Sequence, residues 1–231
     1  MRAMATLARI DGPRQPAANR QPPHKLVILL HGYGADGNDL IGLAPYWARI
    51  LPDAAFVSPH APEPCTMSPA GRQWFAIGSF GADERLRGAE KAAPVLNQFI
   101  DQELDRYKLD DSRLALVGFS QGTMMALHIG LRRPRPVAGI LGFSGALVAP
   151  ERLPDEITAR PPVLLVHGDM DDLLPVESLF QATQGLGAAG VAAEWHISAG
   201  CGHSIAEDGL AIGGRFLQQA LTGQLQAPAG A

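Results

Sequence analysis

The chain is short of several things, and each shortage excludes something. Only two cysteines, Cys65 and Cys201, occur in 231 residues, far apart. That is too few for a disulfide framework, and their spacing fits no metal site, so reduced thiols are expected. Basic runs are scarce. Beyond Arg132, Arg133 and Arg135 no Lys/Arg cluster exists, and the net charge is −4. A dedicated nucleic-acid binder would carry a basic stripe. The three arginines fall where a helix should end, and cations there complement the helix dipole. No apolar run reaches membrane-spanning length, and residues 1–10 lack the continuous apolar stretch of a secretion signal. We therefore expect a soluble cytoplasmic protein, with no nucleic-acid partner and no stable membrane insertion.

What is present is a core. Apolar residues make up 46% of the chain and charged residues 18%, enough for one large α/β domain over residues 1–231. Continuous apolar runs bounded by turn signals read as strands covered on both faces. They lie at 25–30, 114–119, 137–143 and 162–167, with shorter or weaker ones at 54–58 and 191–197. Between them fall helical stretches. One covers 40–50, capped by Asn38 or Asp39. A second opens at Asp83 or Glu84 and runs to Tyr107, with Pro94 marking its first good turn or a kink. Others run from the serine turn to about 131, from Pro175 to about 187, and from 205 to 221. Residues 5–10 read as an edge strand, 11–23 as a loop, and 224–231 as a flexible tail. The stretch 59–81 is irregular and long enough to be functional. Alternating strand and helix imply one mostly parallel central sheet with helices on both faces.

One turn stands out. Gly118-Phe119-Ser120-Gln121-Gly122 joins a buried strand to a helix. Such a turn lifts a serine off the end of the sheet beside free backbone N–H groups. Its glycines have a steric task, since no Cβ fits two residues either side of the serine. Alone, the pattern also suits an inert serine in a tight turn. Its meaning depends on partners, and in an open α/β sheet these collect beyond the carboxyl ends of strands.

Four strand ends carry such residues. After Leu30 comes the glycine loop His31-Gly32-Tyr33-Gly34-Ala35-Asp36-Gly37. After the strand at 114–119 comes Ser120. After His167 come Asp169, Asp171 and Asp172. After Ile197 comes His203. A serine hydroxyl needs a base, and the base an acid that fixes its tautomer. His203, in a glycine-flanked turn, is the best base; His31 and His167 more naturally brace loops. Periodicity does not choose among the three aspartates. Ser144 ends a strand too, but has no glycine two residues on. An oxyanion would find one donor in the N–H of Gln121 at the helix start and a second in the glycine loop, at the N–H of Tyr33.

Taken together, the glycine loop, Gly118-Phe119-Ser120-Gln121-Gly122, His167-Gly168-Asp169-Met170-Asp171-Asp172-Leu173-Leu174-Pro175 and Gly202-His203 resemble the phospholipase/carboxylesterase family. This α/β-hydrolase group includes acyl-protein thioesterases and small bacterial carboxylesterases. The resemblance runs from about residue 25 to 217. It implies Ser120 as nucleophile, Asp171 as acid, His203 as base, and Tyr33 and Gln121 as oxyanion donors. It implies no cofactor and no metal, a small-molecule ester as substrate, and allows a homodimer. Trp74 and Phe75 resemble an aromatic pair in the family's substrate-side loop. The family commonly continues with Asp, where this chain has Ala76. With Leu173 and Leu174, that loop is expected to wall an acyl pocket.

The expected activity is serine carboxylesterase. An acyl-protein thioesterase or lysophospholipase would use the same groups, as would a peptidase or lactonase. A silent ligand-binding module is the reading from another class. A metal hydrolase built on His167, Asp169, Asp171 and His203 lacks recognised ligand spacing.

Overall fold

The structure is a computed structural model that describes residues 7–78 and 81–225. Its strands are β1 (Arg14–Gln15), β2 (Lys25–Leu30), β3 (Ala54–Val57), β4 (Glu63–Pro64), β5 (Arg72–Gln73), β6 (Leu114–Phe119), β7 (Gly139–Phe143), β8 (Val163–Gly168) and β9 (Ala193–Ser198). Its α-helices are α1 (Gly37–Leu40), α2 (Ala44–Trp47), α3 (Ala82–Tyr107), α4 (Gln121–Gly130), α5 (Leu153–Glu156), α6 (Glu177–Ala188) and α7 (Glu207–Leu221). The main sheet has the order β1-β3-β2-β6-β7-β8-β9, with β4 and β5 forming a separate hairpin. Every pair from β3 across to β9 is parallel; β1 alone runs antiparallel, on the edge.

Side-chain alternation divides the core in two. Leu26, Ile28, Leu30, Leu114 and Leu116 face a layer holding α3, α4 and α6. Val27, Leu29, Ala115 and Val117 face the other way, onto Trp47 and the Phe216–Leu217 stretch of α7. Both faces are covered, so the strands read as unbroken apolar runs. From β2 the chain steps to β3 on one side, then to β6 on the other. The switch point therefore lies between β2 and β6, where an open α/β sheet forms its crevice.

Several local expectations are corrected. The edge strand is not where composition put it. Leu7–Ile10 form no strand, residues 5 and 6 lie outside the described residues, and the edge pairing is made by Arg14 and Gln15 inside the expected loop. Arg14 is pinned there by Glu103 at 2.7 Å, which no local pattern encodes. The helix expected over 40–50 is broken into α1, a 3₁₀ turn and α2, and its cap is Asp36, which accepts from Asn38 N–H. Within 59–81 the β4–β5 hairpin supplies order. Pro94 lies well inside α3, beyond its first turn. Of the tail, residues 226–231 lie outside the described residues.

Arg133 is more than a helix-end cation. It is buried, donates to buried Asp111, and reaches Asp101 at 2.7 Å and Asn97 at 3.0 Å. It thereby ties the end of α4 to α3. Arg132 does meet the helix end, donating to His128 O at 3.2 Å, and pairs with Glu156 at 2.7 Å.

Candidate active site

Strand register lines up the ends that matter. Leu30 is level with Gly118, Phe119 with Phe143, and Gly168 with Ser198. The segments that follow these ends meet above one edge of the sheet.

Ser120 follows β6 with φ 54° and ψ −116°, a backbone conformation costly for a residue with a Cβ. Its N–H donates to Phe143 O at 2.9 Å, and Thr123 Oγ1 donates to the same carbonyl at 2.8 Å. The flanking glycines are obligatory by contact. A Cβ on Gly118 would lie 2.3 Å from Thr123 N, and one on Gly122 would lie 1.8 Å from Leu30 O. The tight turn thus rests directly on β2, with the glycine loop alongside.

Gln121 contributes twice. Its backbone N–H opens α4, where orphan donors and the helix dipole favour negative charge. Neither this N–H nor that of Tyr33 has a backbone acceptor among the described residues. Its buried side chain spans to the 59–78 segment: Oε1 accepts from Trp74 N–H at 2.9 Å, and Nε2 donates to Phe75 O at 2.8 Å. Sequence reasoning missed this second role. The one signal was a buried-type position filled by an amide.

Of the three candidate aspartates, Asp171 is the one that meets His203. His203 Nδ1 and Asp171 Oδ2 are 2.7 Å apart. The other carboxylate oxygen, Oδ1, accepts from Leu173 N–H at 3.0 Å and Leu174 N–H at 2.9 Å. Burial pushes the Asp171 carboxyl up, but Leu174 N–H, His203 and Leu173 N–H outweigh it and hold it below the usual carboxylate range. Asp169 instead accepts from Gly200 N–H at 2.6 Å, bracing the turn before His203. Asp172 is exposed. His167 donates from Nε2 to Leu174 O at 2.7 Å, holding the Asp171 loop. His31 braces in a matching way. Ala61 N–H donates to its Nε2 at 3.0 Å, so Nδ1 carries the proton and donates to Gly32 O at 2.8 Å. Burial keeps it neutral, with its pKa below the ordinary imidazole value.

Ser120, Gln121, His203 and Tyr33 line one cleft of about 510 Å³, with Leu173, Leu174, Met67, Ile77, Phe119 and Met124 as its apolar wall. That volume suits a small organic ligand. The Phe119 and His203 rings lie 4.9 Å apart. Ser144 is outside this wall: it is buried, at φ 42°, and its Oγ has no partner.

Trp74 and Phe75 do not line the cleft. Both are fully buried. Trp74 Nε1 donates to His31 O at 3.0 Å, and Phe75 packs so closely on Gly88 of α3 that a Cβ there would lie 2.5 Å from its ring. The pair is the foundation beneath the cleft, and the lining from that segment is Met67 and Ile77. Among the described residues, no three His, Cys, Asp or Glu side chains are gathered so as to hold a metal ion. No helix among them is long and apolar enough to cross a membrane.

The phospholipase/carboxylesterase family model matches residues 15–221. The chain belongs to that family. It is thus an α/β-hydrolase of the carboxylic ester hydrolase class. The esterase PE8 crystal structure superposes with a TM-score of 0.89 at 46% identity, covering 93% of this chain and all of that one. Esterase YpfH of Escherichia coli is 27% identical over 185 residues, 80% of this chain and 78% of its own length. Acyl-protein thioesterase 1 of Gibberella zeae is 29% identical over 212 residues, 84% of this chain and 90% of its own.

Proposed function

We propose that this hydrolase is a serine carboxylesterase, with Ser120 as nucleophile, His203 as base and Asp171 as its orienting acid. The observation that carries the reading is the 2.7 Å contact between His203 Nδ1 and Asp171 Oδ2, beside a strained Ser120 in the same cleft. Asp171 fixes the tautomer with the proton on Nδ1, leaving Nε2 to accept the Ser120 hydroxyl proton. Ser120 Oγ then attacks the ester carbonyl carbon. The carbonyl oxygen takes the negative charge and is met by the N–H groups of Tyr33 and Gln121. As the intermediate collapses, the alcohol leaves with the proton held by His203. Water repeats the sequence on the acyl-enzyme, giving the free acid and restoring Ser120.

Thioester hydrolysis is the second reading. The thioesterase relative and the apolar wall of Met67, Ile77, Leu173 and Leu174 favour it. The triad reading is tested with Ser120→Ala on p-nitrophenyl butyrate: kcat/KM falls by about 10⁴-fold or more while circular dichroism is unchanged. Retained hydrolysis overturns it. A matched series of oxygen esters and thioesters, from acetyl to palmitoyl, ranks the two readings by kcat/KM.

A further inference from the structure

The apolar cleft has one permanently charged cation in its lining, Arg85. Arg85 lies in the first turn of α3, its N–H donating to Gly81 O at 3.1 Å, and its side chain reaches the cleft wall beside Ile77 and Gly78. It is half-buried. Among the described residues, every other arginine that is not exposed is satisfied. Arg14 pairs with Glu103, Arg132 with Glu156 and Arg133 with Asp111, while Arg72 donates to Ala61 O and Pro62 O. Arg85 has no ion pair or guanidinium hydrogen bond among the described residues. The adjacent Glu84 does not supply one, and its carboxylate accepts from Gly78 N–H at 2.8 Å. Asp39, the acid in the cleft lining, does not pair with it either.

A partly desolvated guanidinium without a partner is costly, and its fork of N–H donors matches a carboxylate. We propose that Arg85 binds an ionised carboxylate carried by the ester substrate away from the scissile bond. The cleft then prefers half-esters of dicarboxylic acids, or esters with a carboxylated alcohol, over neutral esters of equal size. The inference rests on the ester-hydrolase reading of the cleft. It differs from simple snorkelling, in which the Arg85 stem covers apolar wall and its head sits in water.

The test compares mono-p-nitrophenyl suberate with p-nitrophenyl octanoate for an acyl-side carboxylate. It compares 4-carboxyphenyl with 4-(methoxycarbonyl)phenyl hexanoate for an alcohol-side one. The readout is the ratio of kcat/KM, anionic over neutral, in the wild type, Arg85→Gln, Arg85→Lys and Arg85→Glu. On at least one arm the ratio should fall about tenfold or more in Arg85→Gln, mainly through KM. It should fall further in Arg85→Glu and stay partly preserved in Arg85→Lys. A ratio changed less than twofold on both arms by Arg85→Gln overturns the proposal. Binding supplies a readout free of catalysis. Monomethyl suberate should raise the Tm of Ser120→Ala protein, dimethyl suberate at equal concentration should raise it less, and Arg85→Gln should erase the difference. Equal shifts in both backgrounds also overturn it. Loss of all ester hydrolysis in the wild type, with the monomethyl suberate shift intact, would strike the esterase reading and leave the Arg85 site standing.

Discussion

Gln121 holds Trp74 by its main chain: Trp74 N–H donates to Gln121 Oε1 at 2.9 Å, and Gln121 Nε2 returns a bond to Phe75 O at 2.8 Å. All three residues are buried. The turn at Ser120 and the segment under the cleft are therefore one unit. Replacing the amide with Gln121→Leu strands a buried N–H and a buried C=O. Each such group costs about 1–3 kcal/mol, so urea unfolding should show a loss of about 2–6 kcal/mol. Gln121→Glu keeps an acceptor for Trp74 N–H and should lose less than Gln121→Leu. Equal stability of Gln121→Leu and wild type would show that the two bonds hold nothing.

Gly122 is a contact requirement. A Cβ there would sit 1.8 Å from Leu30 O, and backbone on both sides has nowhere to go. Gly122→Ala should give insoluble or grossly destabilised protein, beyond about 3 kcal/mol. Gly187 lies in α6 with nothing within 4 Å of a built Cβ. Gly187→Ala should raise stability by about 0.5–1 kcal/mol through helix propensity. Thermal unfolding of both variants checks the contrast.

Much of this was legible before any coordinates. The apolar runs at 25–30 and 114–119 are strands because both sheet faces are covered, and that leaves an unmistakable mark on composition. The serine turn was legible because its glycines are forced by contact. Periodicity did not choose among Asp169, Asp171 and Asp172, and only the family resemblance pointed to Asp171. All three lie in one loop, and their difference is which one reaches His203 and which reaches Gly200 N–H, a tertiary fact. Trp74 and Phe75 were misjudged because an aromatic pair in an irregular segment reads alike as wall or as foundation. Arg14–Gln15 were missed because a two-residue strand has no periodicity, and its anchor Glu103 is 89 residues away.

His128 gives a pH signature. It is buried in α4, its Nδ1 has no partner, and burial, with the nearby Arg132 charge, lowers its pKa to about 4. In the unfolded chain the value returns to about 6.5. Between those limits the unfolded chain binds the extra proton, so stability falls as pH drops from about 6.5 toward 4, by up to about 3 kcal/mol. Urea unfolding at pH 7 and pH 4.5 should show a smaller loss in His128→Leu than in wild type. Equal losses would contradict the assignment.

Asp171 and Asp169 differ in partner, His203 Nδ1 for one and Gly200 N–H for the other, and should separate in activity. Asp171→Asn should lower kcat/KM on p-nitrophenyl butyrate by about 10⁴-fold, because the imidazole tautomer is no longer fixed. Asp169→Asn disturbs a turn and should cost less than about tenfold, with part of the loss in stability. If Asp169→Asn is the more damaging change, the acid is misassigned.

The most direct test of the central claim is covalent. A fluorophosphonate reacts only with a serine hydroxyl activated by its neighbours. Intact-mass measurement and peptide mapping should find one adduct, on Ser120, absent from Ser120→Ala and slowed by orders of magnitude in His203→Ala. Labelling at Ser144, or no labelling of folded wild-type protein, would contradict the account.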